Sequence, residues 1–160
     1  MQSVIQASNY RVEKRRTAVV LVTSSGERVE GDVFLQPYLA HRRGPEEVGD
    51  LLNSPEPFFP LRGSDGAIRF YSKDRIVEVE LERPPREGHD RGMGAREALV
   101  EVTRSPGDSY LASIFYDVPT ARPRLLDYLN RLEVRFVHVH TSSGCRLVNW
   151  SQLDSLRPLD

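Results

Sequence analysis

Two histidines two residues apart are the side chains in this sequence best suited to holding a metal ion. His138 and His140 lie in residues 134–140, whose β-branched residues predict a strand. Because alternate side chains of a strand point to one face, both imidazoles share a face and could ligate zinc. A third ligand, such as Cys145 or His41, would have to come from elsewhere in the chain. We therefore favour a polar strand face and expect no metal site.

The residues that could act in catalysis lack the partners that catalysis requires. Cys145, the only cysteine, follows Gly144 in a predicted turn, and no histidine base can be placed beside it. Asp50 and Asp127 recur in two similar helical segments, which favours hydrogen bonding to a nearby turn or basic residue. The sequence lacks a glycine-rich phosphate loop, a Gly-x-Ser-x-Gly motif and a His-Glu-x-x-His motif. We expect no catalytic residues, no cofactor and no enzyme activity.

Arginines in two predicted loops are the best candidates for ligand binding. The candidate residues are Arg42, Arg43, Arg122 and Arg124, with Tyr38 and Tyr116 as nearby aromatic residues. Guanidinium groups bind phosphate and aromatic rings stack on bases, so these loops could hold nucleic acid or a nucleotide such as a cyclic dinucleotide. The net charge is −1 and neither half of the chain is basic, which argues against strong nucleic-acid binding. Nucleic acid is therefore a disfavoured alternative to contact with a protein.

These residues depend for their positions on short strands and two short helices. In the first half, patterning predicts strands at residues 17–23, 28–35, 58–61, 67–71 and 75–81, with a helix at 46–52. In the second half, it predicts strands at 98–103, 110–116, 134–140, 146–150 and 152–156, with a helix at 124–130. Gly31, in the middle of its strand, predicts a bulge or sharp bend. Asn53 and Asn130 are expected to end the helices in a left-handed conformation.

The two halves share a pattern. Residues 48–53 and 125–130 both combine apolar residues, an aspartate and a closing asparagine, and aligning the aspartates gives an offset of 127 − 50 = 77. The same offset places Phe59 on Phe136 and Ile76 on Leu153. We interpret the chain as one small fold written twice.

Two resemblances follow from these residues. Arg124-Leu-Leu-Asp-Tyr-Leu-Asn130, with Phe136 and Leu147-Val-Asn149 after it, resembles an uncharacterised family of small bacterial domains with an Arg-Leu-x-Asp-x-Leu-Asn motif. The first half lacks the arginine and the later asparagine, and the resemblance implies a fold but no activity. The strand order also resembles Sm-like and PilZ-like small barrels. Residues 11–15 spell the Arg-x-x-x-Arg that PilZ domains use for cyclic di-GMP, but the second PilZ motif is absent.

The resulting fold class is mainly β, with two tandem small curled sheets or barrels of SH3/Sm-like type, each with one short helix. Residues 1–9 are expected to be a disordered tail. The first β-barrel-like repeat covers residues 10–81, a Pro/Gly-rich linker covers 82–96, and the second repeat covers 97–160.

Composition indicates a globular protein outside the membrane. The chain has 160 residues, of which 39% are hydrophobic and 28% charged. It has no apolar run long enough to span a bilayer and no signal peptide at its start, so we expect a cytoplasmic location and no membrane partner. We expect a non-catalytic binding module, a protein–protein interaction adaptor or a regulatory or assembly component, for which a homodimer is one possible state. Loops 36–47 and 117–123 are the expected contact regions.

Overall fold

The computed structural model describes residues 14–39, 44–83, 96–104, 107–117 and 124–159. The predicted tail, residues 1–9, lies outside the described residues. The strands are β1 Arg15–Thr23, β2 Arg28–Leu35, β3 Phe58–Gly63, β4 Ile68–Ser72, β5 Ile76–Leu81, β6 Arg96–Arg104, β7 Asp108–Tyr116, β8 Phe136–Thr141, β9 Gly144–Asn149 and β10 Leu153–Pro158. The α-helices are α1 Val48–Asn53 and α2 Leu125–Asn130, and 3-10 turns span Lys73–Arg75 and Trp150–Gln152.

The chain is mainly β, as predicted, but its strands form one antiparallel sheet instead of two. The order across the sheet is β10-β6-β7-β8-β9-β5-β1-β2-β3-β4, and the sheet is not closed. The two halves are joined where β5 pairs with β9, with Glu78 opposite Val148 and Glu80 opposite Arg146. Without this pairing β5 would be an edge strand with free backbone groups, and β9 satisfies them.

The order of elements recurs along the chain. We call residues 14–83 the first unit and residues 96–159 the second unit. Each contains two strands, an α-helix, two strands, a 3-10 turn and a final strand, and in each the final strand lies beside the first. The predicted linker falls between β5 and β6, although β6 already begins at Arg96, and residues 84–95 lie outside the described part. Duplication of one fold stays a prediction.

The strand registers define which residues of the two units are equivalent. Phe58 pairs with Ser72, and Phe136 pairs with Asn149, in each case at the residue before the 3-10 turn. The offset between β4 and β9 is therefore 149 − 72 = 77, whereas that between β3 and β8 is 136 − 58 = 78. Phe136 thus corresponds to Phe58 and not to Phe59, because the turn between β8 and β9 is one residue shorter than its counterpart.

Two clusters of buried side chains form the core. The second cluster comes from the second unit alone and includes Val100, Ile114 and Val139. The first cluster is built mainly by β1, β2, β3, β5 and α1, but it also contains Phe136 and Leu147 from the second unit. The second unit therefore completes the core of the first.

The helices end differently from the prediction. Asn53 is the last residue of α1, and Ser54 follows it in extended backbone with φ −68°. Asn130 is the last residue of α2, and Arg131 follows it in the right-handed region with φ −105°. Neither asparagine is a left-handed cap, so their side chains are available for other contacts. No helix in the described part of the chain has the length and apolar character that crossing a membrane requires.

Gly31 has a different role from the predicted bulge. The register between β1 and β2 runs unbroken through the pair Val19–Gly31. A Cβ added at Gly31 would lie 2.6 Å from the Arg62 carbonyl oxygen and 2.8 Å from Leu61 Cγ. The glycine therefore permits the close approach of β3 to β2.

Candidate functional site

The two units meet where α1 packs against β8, next to the β5–β9 pair. Asn53 Nδ2 donates to the carbonyl oxygen of Phe136 at 3.0 Å, and the Phe136 amide donates to Asn53 Oδ1 at 2.7 Å. In the other direction, Asn149 Nδ2 donates to the carbonyl oxygens of Lys73 and Ile76 at 3.2 and 2.9 Å. Both asparagines thus satisfy backbone groups of the opposite unit, which fixes the junction.

A buried charged cluster lies at the same junction, where Glu78 of β5 contacts the second unit. Glu78 of the first unit accepts hydrogen bonds from Arg104 Nη1 at 2.6 Å, from Arg146 Nη1 at 3.1 Å and from the Tyr110 hydroxyl, all of the second unit. The Glu78 side chain is 0% exposed, and those of Arg104 and Arg146 are 13% and 18% exposed. We call Glu78, Arg104, Arg146 and Tyr110 the Glu78 cluster.

The Glu78 cluster is built to hold the units together. The Arg146 guanidinium lies 4.3 Å from the centre of the Tyr110 ring, so it also binds the aromatic face. Burial, followed by the adjacent Glu78 carboxylate, raises the pKa of Tyr110 well above its usual range. The phenol therefore stays protonated and keeps donating to Glu78. Each charged group has an opposite charge beside it, which is typical of a structural cluster.

A cleft of about 960 Å³ runs between the units. Its walls carry aromatic rings, among them Phe34, Phe58 and Phe115. The acidic side chains on the described part of its lining are Glu46, Asp50, Glu56 and Asp117, and the basic ones are Lys14 and His138. A hydrogen bond from the Ser54 side chain lowers the pKa of Glu56, which keeps that carboxylate ionised. The described lining is therefore aromatic and acidic, the opposite of what a phosphate group requires.

The described members of the predicted arginine and tyrosine set do not form one site. Tyr38 is 58% exposed, whereas Tyr116 is 8% exposed and packs with its ring centre 5.4 Å from that of Tyr128. Arg124 Nε donates to Asp127 Oδ2 at 3.1 Å on its own helix. Of these three candidates only Tyr116 lines the cleft. Tyr116 is mostly buried because the alternation of β7 turns it inward with Ala112 and Ile114. The remaining candidates, Arg42, Arg43 and Arg122, lie outside the described residues.

The histidine pair packs within the protein. The His140 ring meets the Phe115 ring edge to face, with ring centres 5.2 Å apart. The His138 ring lies against α1, where a Cβ added at Gly49 would be 3.1 Å from its Cε1. Val137 and Val139 are buried, as predicted, and so is Cys145. Within the described ranges, no three histidine, cysteine, aspartate or glutamate side chains are grouped so that they could hold a metal ion.

The two ends of the sheet expose apolar side chains that sequence reasoning did not single out. β4 is the edge strand of the first unit, and Ile68 and Phe70 on it are 53% and 76% exposed. Phe58, at the start of the adjacent β3, is 57% exposed. We call Phe58, Ile68 and Phe70 the β4 apolar edge. A strand is predicted at residues 67–71, but its sequence does not indicate that it lies at the end of the sheet.

At the opposite end, β10 and α2 border a hollow of about 330 Å³. We call it the β10 hollow; apolar side chains dominate its lining, which includes Leu129, Leu132, Val134, Trp150, Leu153 and Leu156. The sheet therefore ends in an apolar projection on one side and an apolar depression on the other.

The fold and its exposed surfaces define a mainly β protein with one open antiparallel sheet, whose two apolar end strands each pair with one strand among the described residues. Comparison with protein-family models, with curated proteins and with solved structures finds no match to this chain. The side chains of the chain itself therefore carry the evidence for its function.

Proposed function

We propose that this chain is a non-catalytic protein-binding module, an assembly component whose partner adds a strand to β4. The observation that carries the proposal is the exposure of Phe58, Ile68 and Phe70 at 57%, 53% and 76% on and beside an edge strand. An unpaired edge offers backbone donors and acceptors, and an extended segment that pairs with it gains hydrogen bonds along its length.

The side chains of β4 favour pairing with another protein. Proteins commonly protect an exposed edge with charges, prolines or bulges. On β4 the one charged residue is Arg69, and it forms an ion pair with Asp65 in its own hairpin, Nη2 to Oδ2 at 3.3 Å. Apolar residues clustered at an exposed edge indicate a surface that a partner covers. This arrangement supports a protein partner, since nucleic acid requires basic residues.

The alternative from the sequence, binding of nucleic acid or a nucleotide through Arg42, Arg43, Arg122 and Arg124, has weaker support. The described lining of the cleft is rich in carboxylates, and Arg124 already binds Asp127. We therefore rank protein binding first.

Site-specific photo-crosslinking tests the proposal. Phe70 is replaced by p-benzoylphenylalanine, and the protein is irradiated in cells of its native host. We expect protein adducts from position 70, because its side chain lies on the proposed interface. The matched control carries the same group at Leu111, an apolar β7 side chain that is 63% exposed away from the edge. The absence of adducts from position 70, or equal yields from both positions, would contradict the proposal.

A further inference from the structure

At three pairs of equivalent positions, the residue of the first unit is exposed and the residue of the second unit is buried. By the strand registers, the equivalent pairs are Phe58 and Phe136, Ile68 and Cys145, and Phe70 and Leu147. The first members are 57%, 53% and 76% exposed, and the second members are 1%, 4% and 0% exposed. The second members are covered because β9 pairs with β5 and because Phe136 and Leu147 enter the first core. The same kind of neighbour would cover the β4 apolar edge.

The second unit contains residues equivalent to those that cover Phe136 and Leu147 in the first unit. In the first unit, Phe136 and Leu147 share a core with Leu52, Ile76 and Val79, which are each 0% exposed. At the offset of 77, the equivalents in the second unit are Leu129, Leu153 and Leu156. These three residues line the β10 hollow and are less buried than their counterparts. The β10 hollow of the second unit is thus equivalent to the apolar surface of the first unit on which Phe136 and Leu147 pack.

We infer, on the basis of the proposed function, that the partner of the β4 apolar edge is a second copy of this chain. β4 of one copy pairs antiparallel with β10 of the next, and Phe58 and Phe70 enter the β10 hollow. Repeating the register of β5 and β9 sets Phe70 opposite Leu156 and Tyr71 opposite Ser155 of the neighbouring copy. The contact continues the sheet from one copy to the next and repeats the strand pairing and the apolar contacts of the internal junction. It has no counterpart of the Glu78 cluster, because the residue equivalent to Glu78 is Ser155.

One polar side chain beside the hollow fits the same arrangement, and one pair of like charges has to be offset. Asn130 is equivalent to Asn53, is exposed, and is placed to bind the Phe58 backbone of a neighbouring copy as Asn53 binds that of Phe136. The register also sets Arg69 opposite Arg157, and like charges in that position oppose pairing. Each already has a carboxylate partner, since Arg69 binds Asp65 at 3.3 Å and Arg157 binds Glu101 at 3.1 Å.

The two contact surfaces differ, so the association is head to tail. A head-to-tail contact builds a ring if its rotation closes and an open chain of subunits if it does not. In both cases one copy contributes its β4 apolar edge and the next contributes its β10 hollow.

Disulfide trapping between two single-cysteine proteins tests this inference. In a Cys145→Ala background, one protein carries Phe70→Cys and another carries Leu156→Cys. Directly opposed residues of antiparallel strands lie close enough for a disulfide. We expect a covalent dimer when the two proteins are mixed under mild oxidation, and little from either alone. A mixture of Leu111→Cys and Leu156→Cys is the matched control and should stay monomeric.

Three other results would overturn the inference. A dimer from Phe70→Cys alone would indicate β4 paired with β4. An internal bridge within a chain that carries both cysteines, without a dimer from the mixture, would indicate closure of the sheet on itself. Absence of any bridge would indicate that β4 does not meet β10.

Light scattering of the unmodified protein gives an independent measurement. We expect a mass that rises with concentration above that of one chain. Phe70→Glu should weaken association about 30-fold or more, whereas Leu111→Glu should leave it unchanged. A wild-type mass of one chain at all concentrations would overturn the inference.

The photo-crosslinking experiment separates this inference from the proposed function. If crosslinks from position 70 reach only other proteins, the proposed function stands and self-association fails. If position 70 gives no crosslink, both fail.

Discussion

The Glu78 carboxylate of the first unit lies 2.6 Å from the Arg104 guanidinium of the second unit, with no exposure of the Glu78 side chain to solvent. An ion pair of this kind adds little net stability compared with apolar residues, but removing one partner leaves the other charge buried and unpaired. The Glu78 cluster therefore acts against any docking of the units that does not bring its members together.

Replacing Glu78 by glutamine should destabilise the protein strongly. Glu78→Gln keeps the shape but removes the carboxylate that pairs with Arg146, and it leaves Arg104 only its longer ion pair with Asp108 at 3.7 Å. We therefore expect a loss of about 3–5 kcal/mol. Urea unfolding monitored by tryptophan fluorescence measures it. The matched control is Glu80→Gln, which removes the ion pair with Arg28 at the surface and should cost at most about 1 kcal/mol. Equal losses in the two variants would show that the Glu78 cluster is not critical.

The two helix-ending asparagines should differ in their effect on stability. Asn53→Ala leaves the amide and carbonyl groups of Phe136 without their partner, so we expect a loss of about 1–3 kcal/mol. Asn130→Ala, at the equivalent exposed position, should change the free energy of unfolding by less than about 0.5 kcal/mol at dilute concentration. Chemical denaturation of both variants makes the comparison. A small effect at Asn53 would mean that the junction does not depend on this amide.

Lys73 should make stability depend on pH in the alkaline range. Burial, followed by the nearby Arg135 charge, lowers the pKa of Lys73, and its Nζ donates to the Ser54 carbonyl oxygen at 3.0 Å. The unfolded chain then binds this proton more tightly than the folded protein does. The contribution of Lys73 to stability therefore becomes more favourable as pH rises through the folded-state pKa towards the ordinary lysine value.

The variant Lys73→Met isolates this contribution. We expect the stability of the wild type relative to Lys73→Met to rise between pH 7 and the alkaline limit of folding, measured as urea midpoints at successive pH values. Lys14→Met is the matched control, because Lys14 is the other lysine of the chain and is exposed. A difference between wild type and Lys73→Met that stays constant with pH would contradict the assignment.

Gly31 should not tolerate a methyl group. In Gly31→Ala the new Cβ would meet the Arg62 carbonyl oxygen at 2.6 Å, so β3 must move, and we expect a loss of about 1–3 kcal/mol. Gly26→Asn is the comparison, since Gly26 has φ +89°, a Cβ there has open space, and asparagine tolerates the left-handed region. Thermal unfolding should show a clearly lower midpoint for Gly31→Ala. A wild-type midpoint would mean that β2 and β3 separate without cost.

Local patterns predicted the elements well. β2 is predicted at residues 28–35 and found at Arg28–Leu35, because its apolar residues alternate with charged ones. The short helices are predicted within two residues at each end, since apolar residues spaced for one helical face mark them. The inward position of Tyr116 was also accessible, because it shares a strand face with Ala112 and Ile114.

The junction could not be predicted in the same way. Alternation along β5 gives no sign that Glu78 is buried, because its partners belong to the other unit. Glu78 pairs with Val148, which lies 148 − 78 = 70 residues further along the chain. The spacing of apolar residues within one strand carries no information about a partner strand at that sequence distance. The apolar ends of the sheet were missed for the same reason, since exposure of Phe70 depends on where the sheet stops.

The place of Phe136 and Leu147 in the first core also sets an order of events during synthesis. When the ribosome has released the first unit, its core still lacks these two side chains, and β5 still lacks its neighbour. Domains often fold as the chain emerges, amino-terminal part first. Here the first unit cannot reach its final packing until Leu147 has emerged. Between the synthesis of β5 and that of Leu147 the nascent chain therefore has an apolar surface uncovered, and we expect it to engage chaperones in that interval.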